Sequence, residues 1–424
     1  MTLGHRGTAV VAAVLAAFVA CPPGFADTAR VAAPENVGMS RSRLDRITRV
    51  FQSEVDRNQL PGAVIGVVRK DQPVYFESLG YRDPVTRDAM PANAIFAIAS
   101  MTKPMVSTAV MMLHDEGKLL LSDPVGKFIP ALADMKVGVV KGDTVETVAA
   151  SRQPTVQDLL RHTSGFTYGS LGDTPVHRFW PPTSGRSGLT LTSRGFVAAL
   201  SRAPLLYQPG TVWDYGLSVD ALGLIVEAVS GTPLATFLQD RLWTPLGMVD
   251  TAFNVPEGKK NRHAQAFAND PLTGRPQFVL QADHQPLKFD CGGGCVMSTV
   301  PDYLRFARML ANGGTLDGKR IIASRTLKMM TTDQLGADVR ARTTNPILPK
   351  GYSFGLGFAV RTQPGIAEFA GNEGDYYWSG GYGTYFWVDP REQLAAVLMT
   401  AAPGGIRGRT APLLRNLVLQ AIED

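Results

Sequence analysis

Ile95-Phe-Ala-Ile-Ala-Ser-Met-Thr-Lys-Pro104 decides how the whole chain is read. An apolar run, Phe96 to Ala99, ends at Ser100; Lys103 follows three residues later, and Pro104 comes directly after it. Met105 to Leu113 are helix formers and apolar almost all round, the pattern of a buried helix. Proline is tolerated in a helix's first turn, so Pro104 places Ser100 at or near the N-terminus. Residues three apart share a helix face, which lets the Ser100 hydroxyl meet the Lys103 amine. A serine hydroxyl alone is a poor nucleophile; a neighbouring amine, freed of its proton by burial, would take the hydroxyl's proton. The positive end of the helix would face the resulting oxyanion. The plainer alternative is a helix cap at Ser100 and a solvated charge at Lys103, since Ser-x-x-Lys is expected about once by chance in a chain of this length. The rest of the chain has to choose between the two.

The 424 residues are 45% apolar and 19% charged, with a net charge of +5. That is ample for a large core and, by length, for roughly two or three domains. No long block of like charge occurs, so nothing argues for a nucleic-acid partner. Arg6, the apolar run Thr8 to Ala20 and the small residues of Gly24-Phe-Ala26 read as a cleavable signal peptide over residues 1–26. The run is too short for a permanent membrane span, and no other segment reads as transmembrane. Cys21, after Phe18-Val-Ala20, is an alternative lipid-attachment site, in a box whose phenylalanine is unusual. Export implies a periplasmic or secreted protein. In Cys291-Gly-Gly-Gly-Cys295 a small-loop disulfide is then chemically allowed, with glycines to close it. A zinc pair lacks histidines at ligand spacing, and two free thiols are the remaining alternative. Neither a metal nor a cofactor is expected.

Ser40 to Asn58 has helical spacing of apolar residues, and Gly62 to Val68 and Pro73 to Leu79 form a β-hairpin beside it. From Leu119 to about Leu287 short helices alternate with loops rich in Pro, Gly and Thr; they include Val156 to Arg161 capped by Thr155, Thr192 to Ser201, Ser218 to Val229 and Pro233 to Leu242. Further on, Val300 to Asn312 and Ile322 to Thr332 read as helices. Tyr352 to Arg361 and Ile366 to Ala370 read as strands, Gly383 to Val388 and Leu394 to Ala401 as an antiparallel pair, and Arg409 to Ile422 as a closing helix. The two ends pair into one α/β domain, residues 27–118 and 288–424, around a mainly helical domain, residues 119–287, with a site expected at their interface.

Two further segments carry candidate chemistry. In Pro209-Gly-Thr-Val-Trp-Asp-Tyr-Gly-Leu-Ser218, Tyr215 precedes a helix that Ser218 can cap, so a phenol is aimed from a fixed joint; near a lysine it loses its proton more easily. An ordinary loop tyrosine is the alternative. In Trp378-Ser-Gly-Gly-Tyr-Gly-Thr384, glycines at the mouth of a strand continuing through Val388 let a substrate approach the backbone, or simply make a turn.

Together the three segments resemble the serine β-lactamase and penicillin-recognising family, specifically its class C branch and the related family VIII-type carboxylesterases. The similarity covers nearly the whole chain after the leader. It includes Ser100 and Lys103, Tyr215-Gly-Leu217, and Trp378-Ser379-Gly380 where the lactamases have Lys-Thr-Gly; His162-Thr-Ser-Gly-Phe166, Pro245-Leu-Gly-Met248 and Gly383-Thr-Tyr-Phe-Trp-Val-Asp-Pro390 support it. The resemblance implies an α/β plus all-α fold, an antiparallel sheet flanked by helices with a separate helical lobe. It implies Ser100 as acylated nucleophile, Lys103 as base, Tyr215 as proton relay, the backbone N–H groups of Ser100 and Gly381 as oxyanion hole, and Trp378, Ser379, Gly380 and Leu217 at the substrate. Lactamases of this branch carry Asn where Leu217 stands and Lys where Trp378 stands. An indole and a leucine suit an apolar acyl or alcohol group, and a site without its polar partners loses selectivity for a polar substrate. Ester hydrolysis of a small molecule is therefore expected. A β-lactamase, a D-amino-acid peptidase or amidase, and a non-catalytic penicillin-binding sensor are the alternatives on this scaffold. Gly351-Tyr-Ser353-Phe-Gly355 matches the elbow of another hydrolase class, but strand pattern rather than helix follows it. The natural substrate and the oligomeric state are not legible in the chain.

Overall fold

The computed structural model describes residues 31–281 and 284–424; the expected leader, with Cys21, lies outside the described residues. Eight strands form one antiparallel sheet: β1 (Gly62–Arg69), β2 (Gln72–Asp83), β3 (Asp88–Ala89), β4 (Tyr352–Phe354), β5 (Ala359–Arg361), β6 (Tyr376–Gly380), β7 (Thr384–Asp389) and β8 (Leu394–Met399), in the order β4-β5-β6-β7-β8-β1-β2-β3. Strands from the start and the end of the chain meet at β1 and β8, where Gly66 lies opposite Val397. Both strands are buried on both faces, so they read as unbroken apolar runs.

The helices that bear on the sheet and site are α1 (Arg41–Asp56), α2 (Thr102–Asp115), α3 (Val156–Leu160), α4 (Ser184–Thr190), α5 (Ser193–Arg202), α6 (Ser218–Ser230), α7 (Val300–Ala311) and α8 (Arg407–Leu419). Helix α7 crosses β8, β1 and β7, and a side chain at Gly66 would run into Leu304 of that helix. Helix α1 packs on β2 and against α8. Helix α2 is buried all round from Thr102 to Leu113 and packs against α6. Its first turn is therefore fixed by packing rather than by helix propensity, which alone does not stabilise so short a helix in water.

Several expectations need correction. Tyr352 to Arg361 is a hairpin, β4 and β5, and not one strand. Ile366 to Ala370 is not a strand: the Arg361 guanidinium donates to the carbonyls of Phe369 and Ala370, filling acceptors that a neighbouring strand would otherwise fill. Trp378 to Gly380 closes β6 instead of opening the next strand, and the Gly383 N–H donates back to the Gly380 carbonyl to make the turn. Residues 119–287 also contain a hairpin, Lys136–Lys141 with Thr144–Ala149, whose Val140 and Val148 are exposed and so belong to no core.

Candidate active site

Ser100 lies in a tight 3-10 turn, Ala99–Met101, that leads straight into α2. Ala99 adopts φ +45°, a left-handed backbone that costs a residue with a side chain on the order of 1 kcal/mol. Packing holds it there: Ile98 donates its N–H to the Val296 carbonyl at 3.0 Å, Thr384 Oγ1 donates to the Ile98 carbonyl at 3.1 Å, and the Tyr303 hydroxyl donates to the Met101 carbonyl at 2.8 Å. Gly380 has to be glycine, because a Cβ would collide with the Ile98 carbonyl and the Thr384 hydroxyl. Strand β5 pairs with β6 only at Tyr376 and Tyr377, so Trp378 to Gly380 run past its end.

Lys103 is 1% exposed and its ammonium is fully engaged. Nζ donates to Ser100 Oγ at 3.3 Å, to the Tyr168 hydroxyl at 2.9 Å and to the Gly293 carbonyl at 2.5 Å. The ring of Tyr215 stands 4.6 Å from Nζ, centroid to nitrogen, and the Trp378 indole donates to the Tyr215 oxygen at 3.2 Å. Ser100 and Lys103, Tyr215, and Trp378 thus come together from three separate segments. Burial by itself pushes the Lys103 amine down, but the phenols of Tyr168 and Tyr215 and the Asp220 carboxylate outweigh it, and the net shift is upward. The expectation that burial alone frees this amine of its proton is therefore not met. His162, buried beside the Tyr215 ring at 4.8 Å, is held well below the usual histidine range by burial and by Lys103, and is neutral.

A second group of residues, to which sequence reasoning gives no part in the chemistry, supports Lys103. Tyr168 OH lies 2.8 Å from Ser184 Oγ, at the start of α4; Ser184 donates to Asp220 Oδ2 at 2.7 Å, on α6; and Gly293 N–H donates to Asp220 Oδ1 at 2.9 Å. Gly293 cannot carry a side chain, since a Cβ would strike both the Asp220 carboxylate and the Ser184 hydroxyl. Its loop is closed by a disulfide between Cys291 and Cys295. Asp220 is buried, and that burial pushes its carboxyl up despite Lys103 and the hydrogen bonds it accepts.

Ser100 opens on a cavity of about 290 Å³ whose lining includes Tyr168, Gly293, Gly381, Tyr382, Phe278 and Arg186. Among the described residues, Arg186 is the one charged residue in that lining; its guanidinium lies over the Phe278 ring at 5.1 Å. Leu217 and Trp378 are buried and stand outside the lining, and Trp180 is a core residue whose indole donates to the Pro204 carbonyl. Ser379 and Gly380 border a larger cavity, about 600 Å³, together with Tyr377, Tyr385 and Arg407; it holds none of the reactive groups. Ser353 is buried in β4 and donates to Asp333, and the element that follows it is strand β5 and not a helix. No cluster of metal ligands occurs among the described residues, and no single described helix is long and apolar enough to cross a membrane.

The chain is 35% identical to Protein Rv1367c of Mycobacterium tuberculosis strain ATCC 25618 / H37Rv over 348 residues, 80% of this chain and 85% of that protein. It is 29% identical to esterase EstB of Burkholderia gladioli over 401 residues, 88% of this chain and 94% of the esterase. Among solved structures, EstCE1, a hydrolase with promiscuous acyltransferase activity, superposes with a TM-score of 0.74 at 23% identity, over 89% of this chain and 98% of that one, and so shares the fold. The Beta-lactamase family model matches residues 47–420, from within α1 through the Ser100 turn, the Tyr215 loop and the closing strands to the end of α8. With Ser100 half-buried and open to a cavity, and Lys103 buried beside it in the first turn of α2, the chain belongs to the Beta-lactamase family, as one of its serine hydrolases.

Proposed function

We propose that the protein is an exported hydrolase of carboxylic esters working through an acyl-enzyme on Ser100. Ser100 Oγ attacks the ester carbonyl and its proton passes to Lys103 as general base. The carbonyl oxygen becomes an oxyanion facing the N–H groups of Ser100 and Gly381, both in the cavity lining. Collapse expels the alkoxide, which takes a proton relayed through Tyr215. Water, deprotonated by the same groups, then attacks the acyl carbonyl and releases the acid. The observation that carries the ester preference is the hydrogen bond from the Trp378 indole to the Tyr215 oxygen. A neutral donor occupies the place where the lactamase pattern has a lysine, and Leu217, buried, replaces its asparagine. A β-lactam's carboxylate and amide find neither partner, whereas an ester needs neither. The similarity to esterase EstB supports the same choice. Export is supported by the leader-like residues 1–26 and accords with a disulfide at Cys291 and Cys295.

Arg186 favours a second reading, a peptidase acting on D-amino acids, because its guanidinium at the cavity is placed to pair with a terminal carboxylate. Purified protein assayed side by side on nitrophenyl butyrate, a chromogenic cephalosporin and a D-alanyl-D-alanine peptide decides among them. The ester is expected to turn over fastest; a cephalosporin or peptide rate well above the ester rate reverses the assignment.

A further inference from the structure

Lys103 presents a difficulty that rests on its role as base in the proposed reaction: with three acceptors around Nζ and an upward shift, it rests as an ammonium and has no lone pair for the Ser100 proton. The hydrogen bonds around it supply a way out. From Lys103 Nζ a continuous line of buried groups runs to the Tyr168 hydroxyl at 2.9 Å, on to Ser184 Oγ at 2.8 Å, and on to Asp220 Oδ2 at 2.7 Å. Lys103, Ser184 and Asp220 are at most 3% exposed, and Tyr168 is 6% exposed. The other carboxylate oxygen of Asp220 holds the Gly293 N–H, and the carbonyl of the same glycine takes the third Lys103 proton, so both ends of the line are pinned through one residue.

We propose that Asp220 is a positioning residue that takes up, through Ser184 and Tyr168, the proton that has to leave Lys103 before Ser100 can attack. Lys103 gives an N–H proton to the Tyr168 oxygen while Tyr168 gives its own to Ser184 Oγ and Ser184 gives its own to Asp220 Oδ2. One N–H and two O–H bonds break and three O–H bonds form. The ammonium becomes an amine, the carboxylate becomes a carboxylic acid, and no charge enters or leaves the cluster. Lys103 then accepts the Ser100 proton as the new bond to substrate forms. Because the shift is internal, it does not require exchange of a proton with solvent, and the base-competent form has the same proton count as the resting form.

That equality gives a test whose sign separates a relay from simple electrostatics. The titratable groups facing Lys103 are Tyr168, Tyr215, Asp220 and the neutral His162, and those facing Asp220 are Lys103 and Tyr168. In the wild type, activity is lost on the acid side when the cluster takes up one extra proton, which goes to the carboxylate. In Asp220→Asn there is no carboxylate; Lys103 has to lose its proton to solvent, and the acid limb becomes that of a buried amine. The limb therefore moves to higher pH, by about one pH unit or more. Were Asp220 only a charge that stabilises the ammonium, its removal would move the limb to lower pH.

The measurement is the rate at which a fluorophosphonate labels Ser100, from pH 5 to 9, in the full mature chain, read by intact mass. Serine Oγ bonds phosphorus and fluoride leaves, so nucleophile activation is seen without any assumption about the natural substrate. An acid limb shifted upward in Asp220→Asn supports the proposal; a limb that stays in place or moves down overturns it. If Asp220→Asn fails to fold, Ser184→Ala breaks the line while keeping the carboxylate and its Gly293 bond. Labelling about tenfold slower or more, with the melting temperature lowered by only a few degrees, is expected there, and wild-type labelling overturns the proposal. A wild type that labels but hydrolyses no ester sinks the ester assignment alone; a wild type that does not label at Ser100 overturns both.

Discussion

Replacing Tyr168 by phenylalanine is the sharpest single perturbation of the site, because it deletes one oxygen and almost no volume. That oxygen accepts from Lys103 at 2.9 Å and lies 2.8 Å from Ser184 Oγ, in a group of side chains almost shut off from solvent. A hydrogen bond to a charged group contributes about 1.5–3 kcal/mol, and a buried donor left without a partner carries its full desolvation cost. If Lys103 must be held and deprotonated through this phenol, the loss falls on the chemical step, and kcat drops roughly 10- to 150-fold. The ring remains in the cavity wall, so KM for nitrophenyl butyrate should stay within about twofold. The same unmet donors lower folding stability by about 1–3 kcal/mol. At an unfolding entropy of about 2 cal/mol/K per residue, that shifts the melting temperature of a chain of this size by roughly 1–4 °C. Steady-state kinetics and a thermal melt on the same preparation test both numbers. A variant with unchanged kcat, or with raised KM at constant kcat, would refute the assignment of Tyr168 to the lysine's machinery.

Trp378→Lys removes the indole donor to Tyr215 and restores the charge of the lactamase pattern; the cephalosporin-to-ester rate ratio should rise about tenfold or more, and an unchanged ratio removes Trp378 from the specificity argument. Changing both Cys291 and Cys295 to serine frees the short loop that presents Gly293 to Lys103; stability should fall by about 2 kcal/mol and kcat with it, and full activity in the double variant would show that the loop needs no crosslink. His263 is buried and its ring is pushed down to about 4, chiefly by burial and then by His284 and Arg82. A histidine with a depressed folded-state value stabilises the fold above its unfolded value and loses that contribution as pH falls, so melting temperature should drop between pH 6.5 and about 4, and less so in His263→Asn. Equal slopes in the two proteins would contradict this.

Much of the fold was legible because the informative signals are local. Pro104 after Ser100-Met-Thr-Lys103 marks the first turn of α2, and Thr155 with Asp158 forms the capping box that starts α3. The apolar runs of β7 and β8 around Asp389-Pro-Arg-Glu392 give their antiparallel pairing. The misread segments were decided from a distance. Phe369 and Ala370 look like strand residues, but their carbonyls are taken by a buried guanidinium that also pairs with Asp375, a contact no local pattern contains. The largely exposed hairpin at Lys136–Ala149 did carry a signal, valine-rich runs on both sides of a Gly142-Asp143 turn, in a region otherwise helical in pattern.

The site divides in the same way. Ser100 and Lys103 share one helical turn, so a three-residue spacing reveals them. Tyr168, Ser184, Asp220 and Gly293 reach the lysine from four places in the chain. Alone, Asp220 reads as an acid in the first turn of a helix, where the dipole welcomes it, and Ser184 as a helix-start residue. Only their convergence on Nζ gives them another meaning. The glycines show the same limit: Gly293 is fixed by collisions with Ser184 and Asp220, and Gly380 in part by the Ile98 carbonyl, all distant in sequence.

The most direct test of the mechanism is the identity of the residue that becomes acylated. Protein quenched in acid during turnover of nitrophenyl butyrate, then digested and mapped by mass spectrometry, should carry a butyryl group on Ser100, and Ser100→Ala should carry none and lose turnover. An adduct on Ser353, or steady ester turnover by Ser100→Ala, would contradict the account at its centre.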